Sequence, residues 1–144
     1  MHDFNEQFSI QKKIEVAWGD MDAMNHVNNA RYFRYFETSR ILYFSTMNLR
    51  LADTSCGPIL AAIECQYLRP LQYPDQILVG TRATHIGNTS FSMDHAIYSE
   101  TQAAIVAKGQ GRVVFYDYQK QEKVPVPDSF RTAVQDFDKN FGKT

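Results

Sequence analysis

Several patterns that mark common classes of protein are missing from this sequence. The chain has no glycine-rich phosphate loop, no G-x-G-x-x-G fingerprint and no G-x-S-x-G nucleophile elbow. Its two cysteines, Cys56 and Cys65, form no C-x-x-C pair and fit no zinc-ligand spacing. We therefore expect neither a metal nor a cofactor, and a serine or cysteine nucleophile is disfavoured.

Charge and long apolar runs are also limited. Lys plus Arg number 15 against 16 for Asp plus Glu, so the chain lacks the basic surplus of a nucleic-acid or membrane-surface binder. No apolar run approaches the ~18 residues of a membrane span, and Met1 to Phe8 lack the apolar segment of a signal peptide. These features predict a cytoplasmic protein that binds neither nucleic acid nor membrane.

What is present is the composition of one globular domain, 1–144, with 44% hydrophobic and 13% aromatic residues. An aromatic-rich helix is predicted over 28–47, and a terminal amphipathic helix is predicted to follow a cap at Asp128. Alternating apolar residues predict five strands, at 9–18, 59–68, 76–86, 89–99 and 103–118. The later strands are joined too closely for crossovers, which predicts an α+β fold with a mostly antiparallel sheet curled around one central helix.

The most informative segment lies between the first strand and the central helix. It reads W-G-D-M-D-A-M-N-H-V-N-N-A-R-Y and places Asp22 and His26 just before the helix. Helix entrances carry free N–H groups and a positive dipole end, so they favour negative charge that develops during a reaction. Asn28 and Asn29 stand where N-cap residues belong, and capping would fix the N–H groups of about Val27 to Ala30 as an oxyanion hole.

The pattern D-x-D-x-x-x-H-V-N-N-A-R-Y resembles the hot-dog-fold acyl-CoA thioesterases of the 4-hydroxybenzoyl-CoA thioesterase-like family. The similarity continues through Tyr67-Leu68-Arg69-Pro70, 86–91 and 124–127, and so covers nearly the whole chain. The resemblance implies a hot-dog fold, an active site at a dimer interface, and a homodimer or homotetramer.

The resemblance also implies that Asp22 is the carboxylate that acts on the thioester. A carboxylate of ordinary pKa is a weak base, so Asp22 must be either a nucleophile or a base raised by its surroundings, and both remain open. His26 could orient Asp22, bind the thioester oxygen or move a proton. Asp20 is predicted to hold the loop by accepting backbone N–H bonds.

Substrate contacts are predicted in two places. An apolar pocket lined by residues such as Tyr32, Phe33 and Phe36 would hold the acyl chain. Thr89 and Ser90 could bind the pantetheine or phosphate of CoA, although members of the family often have Lys or Arg after the glycine at position 87, where this chain has Asn88.

The function predicted from these residues is hydrolysis of an acyl-CoA thioester. Two alternatives remain open, because a fold does not fix the chemistry performed on it. One is a non-catalytic module that binds acyl thioesters, and the other is a hot-dog hydratase or dehydratase.

Overall fold

The computed structural model describes residues 2–49 and 55–142. Within these ranges the chain forms three helices and six strands. The helices are α1 (His2–Gln7), α2 (Asn29–Thr46) and α3 (Asp128–Phe137), with a short 3-10 turn at Trp18–Asp20. The strands are β1 (Ile10–Glu15), β2 (Cys56–Tyr67), β3 (Gln76–Ile86), β4 (Ser90–Ser99), β5 (Ala104–Asp117) and β6 (Glu122–Lys123).

All strand pairs are antiparallel, in the order β1-β3-β4-β5-β2, with β6 attached to β5. The sheet curls around α2, which confirms the predicted hot-dog architecture of a half-barrel around a central helix. Strand β2 forms one edge, and most of its twelve residues are partly or fully exposed. An edge strand offers unpaired N–H and C=O groups for another chain to pair with.

Helix α2 begins where the sequence predicts, because Asn28 caps it with a side-chain oxygen that accepts from the Ala30 N–H at 2.9 Å. The helix buries aromatic side chains against the inner face of the sheet. Phe36 is fully buried and lies over Gly109, where an added Cβ would stand 2.5 Å from the ring. Gly109 therefore allows the helix and sheet to approach closely.

A buried chain of hydrogen bonds joins the middle of α2 to the sheet. The Ser39 hydroxyl donates to the Val79 carbonyl at 2.8 Å, so its oxygen accepts from the Thr81 hydroxyl at 2.6 Å. Thr81 is thus left to accept from Nδ1–H of His95 at 3.0 Å, and Nε2 of His95 faces Nη1 of Arg40 at 3.5 Å. Burial, together with the positive charge of Arg40, lowers the pKa of His95 from 6.5 to about 3.

The ends of the chain depart from the predicted pattern. Asp128 is the first residue of α3 rather than its cap, and Pro127 occupies the cap position without a side-chain hydrogen bond. Strand β1 ends at Glu15 because the chain turns into the 3-10 segment, three residues before the predicted end. Helix α1 was not predicted from the sequence; its Phe4 packs with Phe8 on the outer face of the sheet.

Candidate active site

The segment before α2 folds into a tight turn over residues 22–26, closed by an antiparallel bridge between Met21 and Val27. The Asp22 N–H donates to the His26 carbonyl at 2.9 Å, and the Asn25 N–H donates to the Asp22 carbonyl at 3.1 Å. Asn25 has a φ of 63°, a conformation that asparagine tolerates better than most residues. The backbone therefore sets Asp22 and His26 at the two ends of one short turn.

Asp20 holds this turn to the helix. One of its carboxylate oxygens accepts from the Ala17 N–H at 3.0 Å and from the Tyr35 hydroxyl at 2.8 Å. The other lies 3.6 Å from Nε of Arg31. Burial, followed by the hydrogen bond to Asp20, raises the pKa of Tyr35. These contacts confirm the prediction that Asp20 accepts backbone N–H bonds and holds the loop.

The carboxylate of Asp22 is partly exposed, and only one of its two oxygens has a hydrogen-bond partner among the described residues. Its Oδ1 accepts from the Met24 N–H at 2.9 Å, which forms an Asx turn, whereas Oδ2 has no hydrogen-bond partner among the described residues. Within the same part of the chain, the side chain of His26 makes no hydrogen bond to Asp22. One carboxylate oxygen thus remains available to a substrate or a water molecule.

The amides at the entrance of α2 differ in what they bind. Val27 N–H donates to the Leu71 carbonyl at 2.8 Å, and Asn28 N–H donates to the Asp20 carbonyl at 2.9 Å. The Ala30 N–H is taken by the Asn28 cap. Across residues 2–49 and 55–142, the Asn29 N–H has no acceptor. Of the amides predicted as oxyanion donors, Val27 to Ala30, the Asn29 N–H is therefore the one left without an acceptor in the described part of the chain.

Asn29 borders a cleft of about 250 Å³ at this end of the sheet. The lining residues come from the turn, the first turn of α2 and the end of β2; they are His26, Val27, Asn29, Tyr32, Tyr67, Leu68, Arg69 and Pro70. The Tyr67 hydroxyl donates to the Asn29 carbonyl at 3.1 Å. Tyr67 was not singled out for the site by sequence reasoning, although it lies in the Tyr67-Leu68-Arg69-Pro70 segment of the family resemblance.

Tyr32 lies in the wall of this cleft, but its own exposure is only 2%. Its hydroxyl accepts from the Leu71 N–H at 3.2 Å, and its ring meets Tyr67 edge-on at 4.8 Å. The other two residues predicted for an acyl pocket differ from this. Phe36 is part of the closed core, stacked on His95, and Phe33 does not line this cleft.

Thr89 and Ser90 lie away from this cleft within the chain. They sit at the β3–β4 turn, where the Gly87 N–H donates to the Ser90 carbonyl at 2.7 Å. The cleft meets the opposite end of β4, where Gln102 donates to the Pro70 carbonyl at 2.8 Å. Ten residues of β4 span about 30 Å, so a single chain does not bring Thr89 or Ser90 to Asp22.

A family model described as the thioesterase-like superfamily matches residues 16–134. The match includes the turn, α2, the strands β2 to β6 and most of α3, and it begins just after β1 ends. The chain belongs to the thioesterase-like superfamily. Its fold is therefore that of a thioesterase-like protein.

Two solved structures illustrate the similarity to this superfamily. The PA2801 protein of Pseudomonas aeruginosa is 31% identical with a TM-score of 0.82, over 89% of this chain and 99% of that one. A thioesterase from Thermus thermophilus, solved with coenzyme A and Zn, is 29% identical with a TM-score of 0.79, over 91% of this chain and 95% of that one.

Curated relatives match at lower identity. The long-chain acyl-CoA thioesterase FadM of Escherichia coli is 23% identical over 128 residues, which is 88% of this chain and 97% of that protein. A relative from Bacillus subtilis is 26% identical over 93 residues, and the match spans 63% of that protein's own length.

Other reactive groups do not form a second centre in the described part of this thioesterase-like chain. Burial raises the pKa of Cys65 to about 11, so its thiol is protonated at neutral pH and is a poor nucleophile. Among residues 2–49 and 55–142, no three His, Cys, Asp or Glu side chains are grouped to hold a metal ion. Nor does any helix in these ranges have the length and apolarity to cross a membrane.

Proposed function

We propose that this chain is a cytoplasmic acyl-CoA thioesterase that hydrolyses an acyl-CoA to a carboxylic acid and free CoA. The superfamily match and the CoA-bound neighbour from Thermus thermophilus support the substrate class. The observation that carries the proposal is the Asn29 N–H, which borders the cleft at the entrance of α2 and has no acceptor among the described residues.

In this proposal the Asn29 N–H donates to the thioester carbonyl oxygen. Attack on the carbonyl carbon moves negative charge onto that oxygen, where the amide and the positive end of the helix stabilise it. The C–S bond then breaks, and the CoA sulfur leaves as a thiolate that takes up a proton. The Asn28 cap and the Tyr67–Asn29 hydrogen bond fix the first turn before the substrate arrives.

Asp22 supplies the attacking electrons by one of two routes. As a general base, it removes a proton from a water molecule, whose oxygen forms the new C–O bond to the acyl carbon. As a nucleophile, its oxygen forms an acyl-aspartyl anhydride that water then hydrolyses. Both routes release the same acid and CoA. The uncommitted Oδ2 suits either one, because Oδ1 keeps the carboxylate in place through the Met24 N–H.

His26 occupies the wall of the cleft at the other end of the turn from Asp22. Its ring makes no hydrogen bond to the Asp22 carboxylate within 2–49 and 55–142, which favours direct contact with the substrate. We propose that His26 donates a hydrogen bond to the thioester or returns the proton to the departing sulfur.

A second copy would complete the substrate site. Strand β2 is an exposed edge that carries apolar side chains at Ile59 and Leu60. Antiparallel pairing of two β2 strands about their midpoint would place residue 56 of one copy opposite Tyr67 of the other, and residue 59 opposite Glu64. In the sheet, Ile59 and Ser90 both pair with Val114. Thr89 and Ser90 would then reach the pantetheine from the partner, in a homodimer or a homotetramer built from two such dimers.

Thiol release from acyl-CoA, followed with a thiol reagent, tests this function. Saturable release across a series of acyl chains supports hydrolysis. Substitution Asp22→Asn should lower kcat/KM by about 10²- to 10⁴-fold, since it removes the basic and nucleophilic oxygen. An unchanged kcat/KM would exclude Asp22. A binding module would bind acyl-CoA without releasing thiol, and a hydratase or dehydratase would change the acyl group while leaving the thioester intact.

A further inference from the structure

Trp18 is an exposed aromatic side chain close to the proposed reaction site. It is the chain's one tryptophan, and 71% of it is exposed. Tyr73, itself 44% exposed, meets Trp18 at nearly a right angle, with ring centroids 5.7 Å apart. The Tyr73 N–H contacts Sδ of Met21 at 3.3 Å, which ties this aromatic pair to the Asp22 turn. A large indole held this way presents a flat face to solvent.

A groove of about 370 Å³ runs along the outside of the α2 entrance, and its lining starts at Gly19, the residue that follows Trp18. It is lined by Gly19, Asp20, Met21, Asn28, Ala30, Arg31 and Arg34. A Cβ at Gly19 would meet no atom within 4 Å, so the groove is open at this residue. Asn28 and Ala30 border this groove, whereas Asn29 borders the acyl cleft, so the two depressions adjoin at the first turn of α2.

Two arginines give the groove its positive charge. The side chains of Arg31 and Arg34 are 49% and 68% exposed. Arg31 lies 3.6 Å from Asp20, whose carboxylate is already bound by Tyr35 and the Ala17 N–H. Arg34 pairs with Glu37 at 3.0 Å on the helix surface. The Arg34–Glu37 pair is exposed on both sides and contributes little, and Arg31 is half exposed beside a carboxylate that other donors already bind, so both guanidinium groups can turn to a phosphate.

We propose that this groove and Trp18 bind the adenine nucleotide of the CoA substrate, with the phosphates on Arg31 and Arg34 and the adenine stacked on the indole. Arginine suits this task because its planar group forms paired hydrogen bonds to phosphate oxygens. Exposed aromatic rings stack on bases of any sequence. The neutral Asn88 at the β3–β4 turn strengthens the argument, because it supplies no charge there for phosphate. This inference rests on the proposed function.

The single tryptophan makes a direct binding test possible on the unmodified protein. Fluorescence of Trp18 is followed while CoA, adenosine 3′,5′-bisphosphate or pantetheine is added. Stacking should quench the emission saturably with CoA and with the bisphosphate, and pantetheine should leave it unchanged. Binding of CoA with no change in emission, or equal quenching by pantetheine, would overturn the proposal.

The arginine contribution is tested with the double substitution Arg31→Ala and Arg34→Ala. We expect the double variant to bind adenosine 3′,5′-bisphosphate at least tenfold more weakly, and the remaining affinity to depend less on salt. Arg112→Ala is the matched control, since Arg112 is an exposed arginine on β5 that does not border this groove. Equal weakening in the control and the double variant would refute a specific phosphate site.

Kinetics separate this inference from the proposed function. The ratio of kcat/KM for an acyl-CoA to that for the matching acyl-N-acetylcysteamine, which lacks the nucleotide, should fall about tenfold in Trp18→Ala. Trp18→Phe should retain most of that ratio because it keeps an aromatic face. An unchanged ratio in Trp18→Ala, with thiol still released, would refute the nucleotide site alone. Saturable quenching by the bisphosphate without thiol release would refute the hydrolysis and support the site.

Discussion

The entrance of α2 and its middle both carry polar groups, but they use them differently. In the middle, a series of hydrogen bonds runs from Arg40 through the side chains of His95, Thr81 and Ser39. Each donor in the series has an acceptor, and the last acceptor is the Val79 carbonyl. At the entrance, the Asn29 N–H and one oxygen of Asp22 have no partner among the described residues. A complete network holds a fold together, whereas an N–H without an acceptor at the border of a cleft, as at Asn29, is available to a ligand.

The largest effect in this comparison is expected from removing the Asn29 N–H, which has no acceptor among the described residues. Asn29 is the first residue of α2, where proline is tolerated, and Asn28 already has the extended backbone that proline requires before it. Asn29→Pro should lower kcat/KM by about 10²- to 10³-fold through loss of the oxyanion donor, with little change in Tm. Asn29→Ala keeps the N–H and is the control. Equal activity of the two variants would exclude this amide.

The opposite result is expected in the middle of the helix. His95→Leu would remove the buried partner of the Arg40 guanidinium and the hydrogen bond that the Thr81 hydroxyl accepts. We expect the free energy of unfolding to fall by about 3 kcal/mol, measured by urea denaturation. The residual folded enzyme should keep nearly its full kcat. A large loss of kcat with unchanged stability would assign His95 to the chemistry instead.

The buried histidine also predicts a pH dependence of stability. The pKa of His95 is lowered by burial and by Arg40 in the folded state, so below its ordinary value of 6.5 the unfolded chain takes up a proton that the folded chain does not. Stability is therefore lost as pH falls, by about 1.5 kcal/mol between roughly pH 6.5 and pH 5. His95→Gln should lack this loss. Parallel pH curves for the two proteins would contradict the assignment.

The smallest expected effect concerns how the entrance is held. Tyr67→Phe removes the hydroxyl that donates to the Asn29 carbonyl at the partly exposed edge of the cleft. We expect kcat to fall less than about tenfold, with KM and Tm almost unchanged, since a single hydrogen bond contributes ~1 kcal/mol. A change confined to KM would show that Tyr67 binds substrate rather than positioning the first turn.

Much of the fold could be predicted because its signals are local. Strand β3 was predicted at its observed bounds, and α2 within one residue at each end, since alternation and periodicity are properties of neighbouring residues. Helix α1 escaped prediction because six residues are too few to show a period, and its Phe4 is ordered by packing on the sheet. Local sequence likewise gave no reason to expect the hydrogen bond that adds β6 to β5.

The candidate site was predictable only in part for a related reason. The motif places Asp22, His26 and Asn29 together because they are close in sequence. Which amide remains open depends on the carbonyl of Leu71, which is far along the chain from Val27 and near it only in the fold. The separation of Thr89 and Ser90 from the cleft follows from the direction of β4, which a motif does not contain.

Gly109, in the interior of the sheet, affects the position of the α2 entrance at the edge of the sheet. Because Gly109 has no side chain, the Phe36 ring packs directly on the strand, about 10 Å along α2 from Asn29. Any larger residue at this position would push α2 away from the strand and tilt the first turn of the helix. A methyl group introduced far from the substrate could thus spoil the alignment of an amide that it never touches.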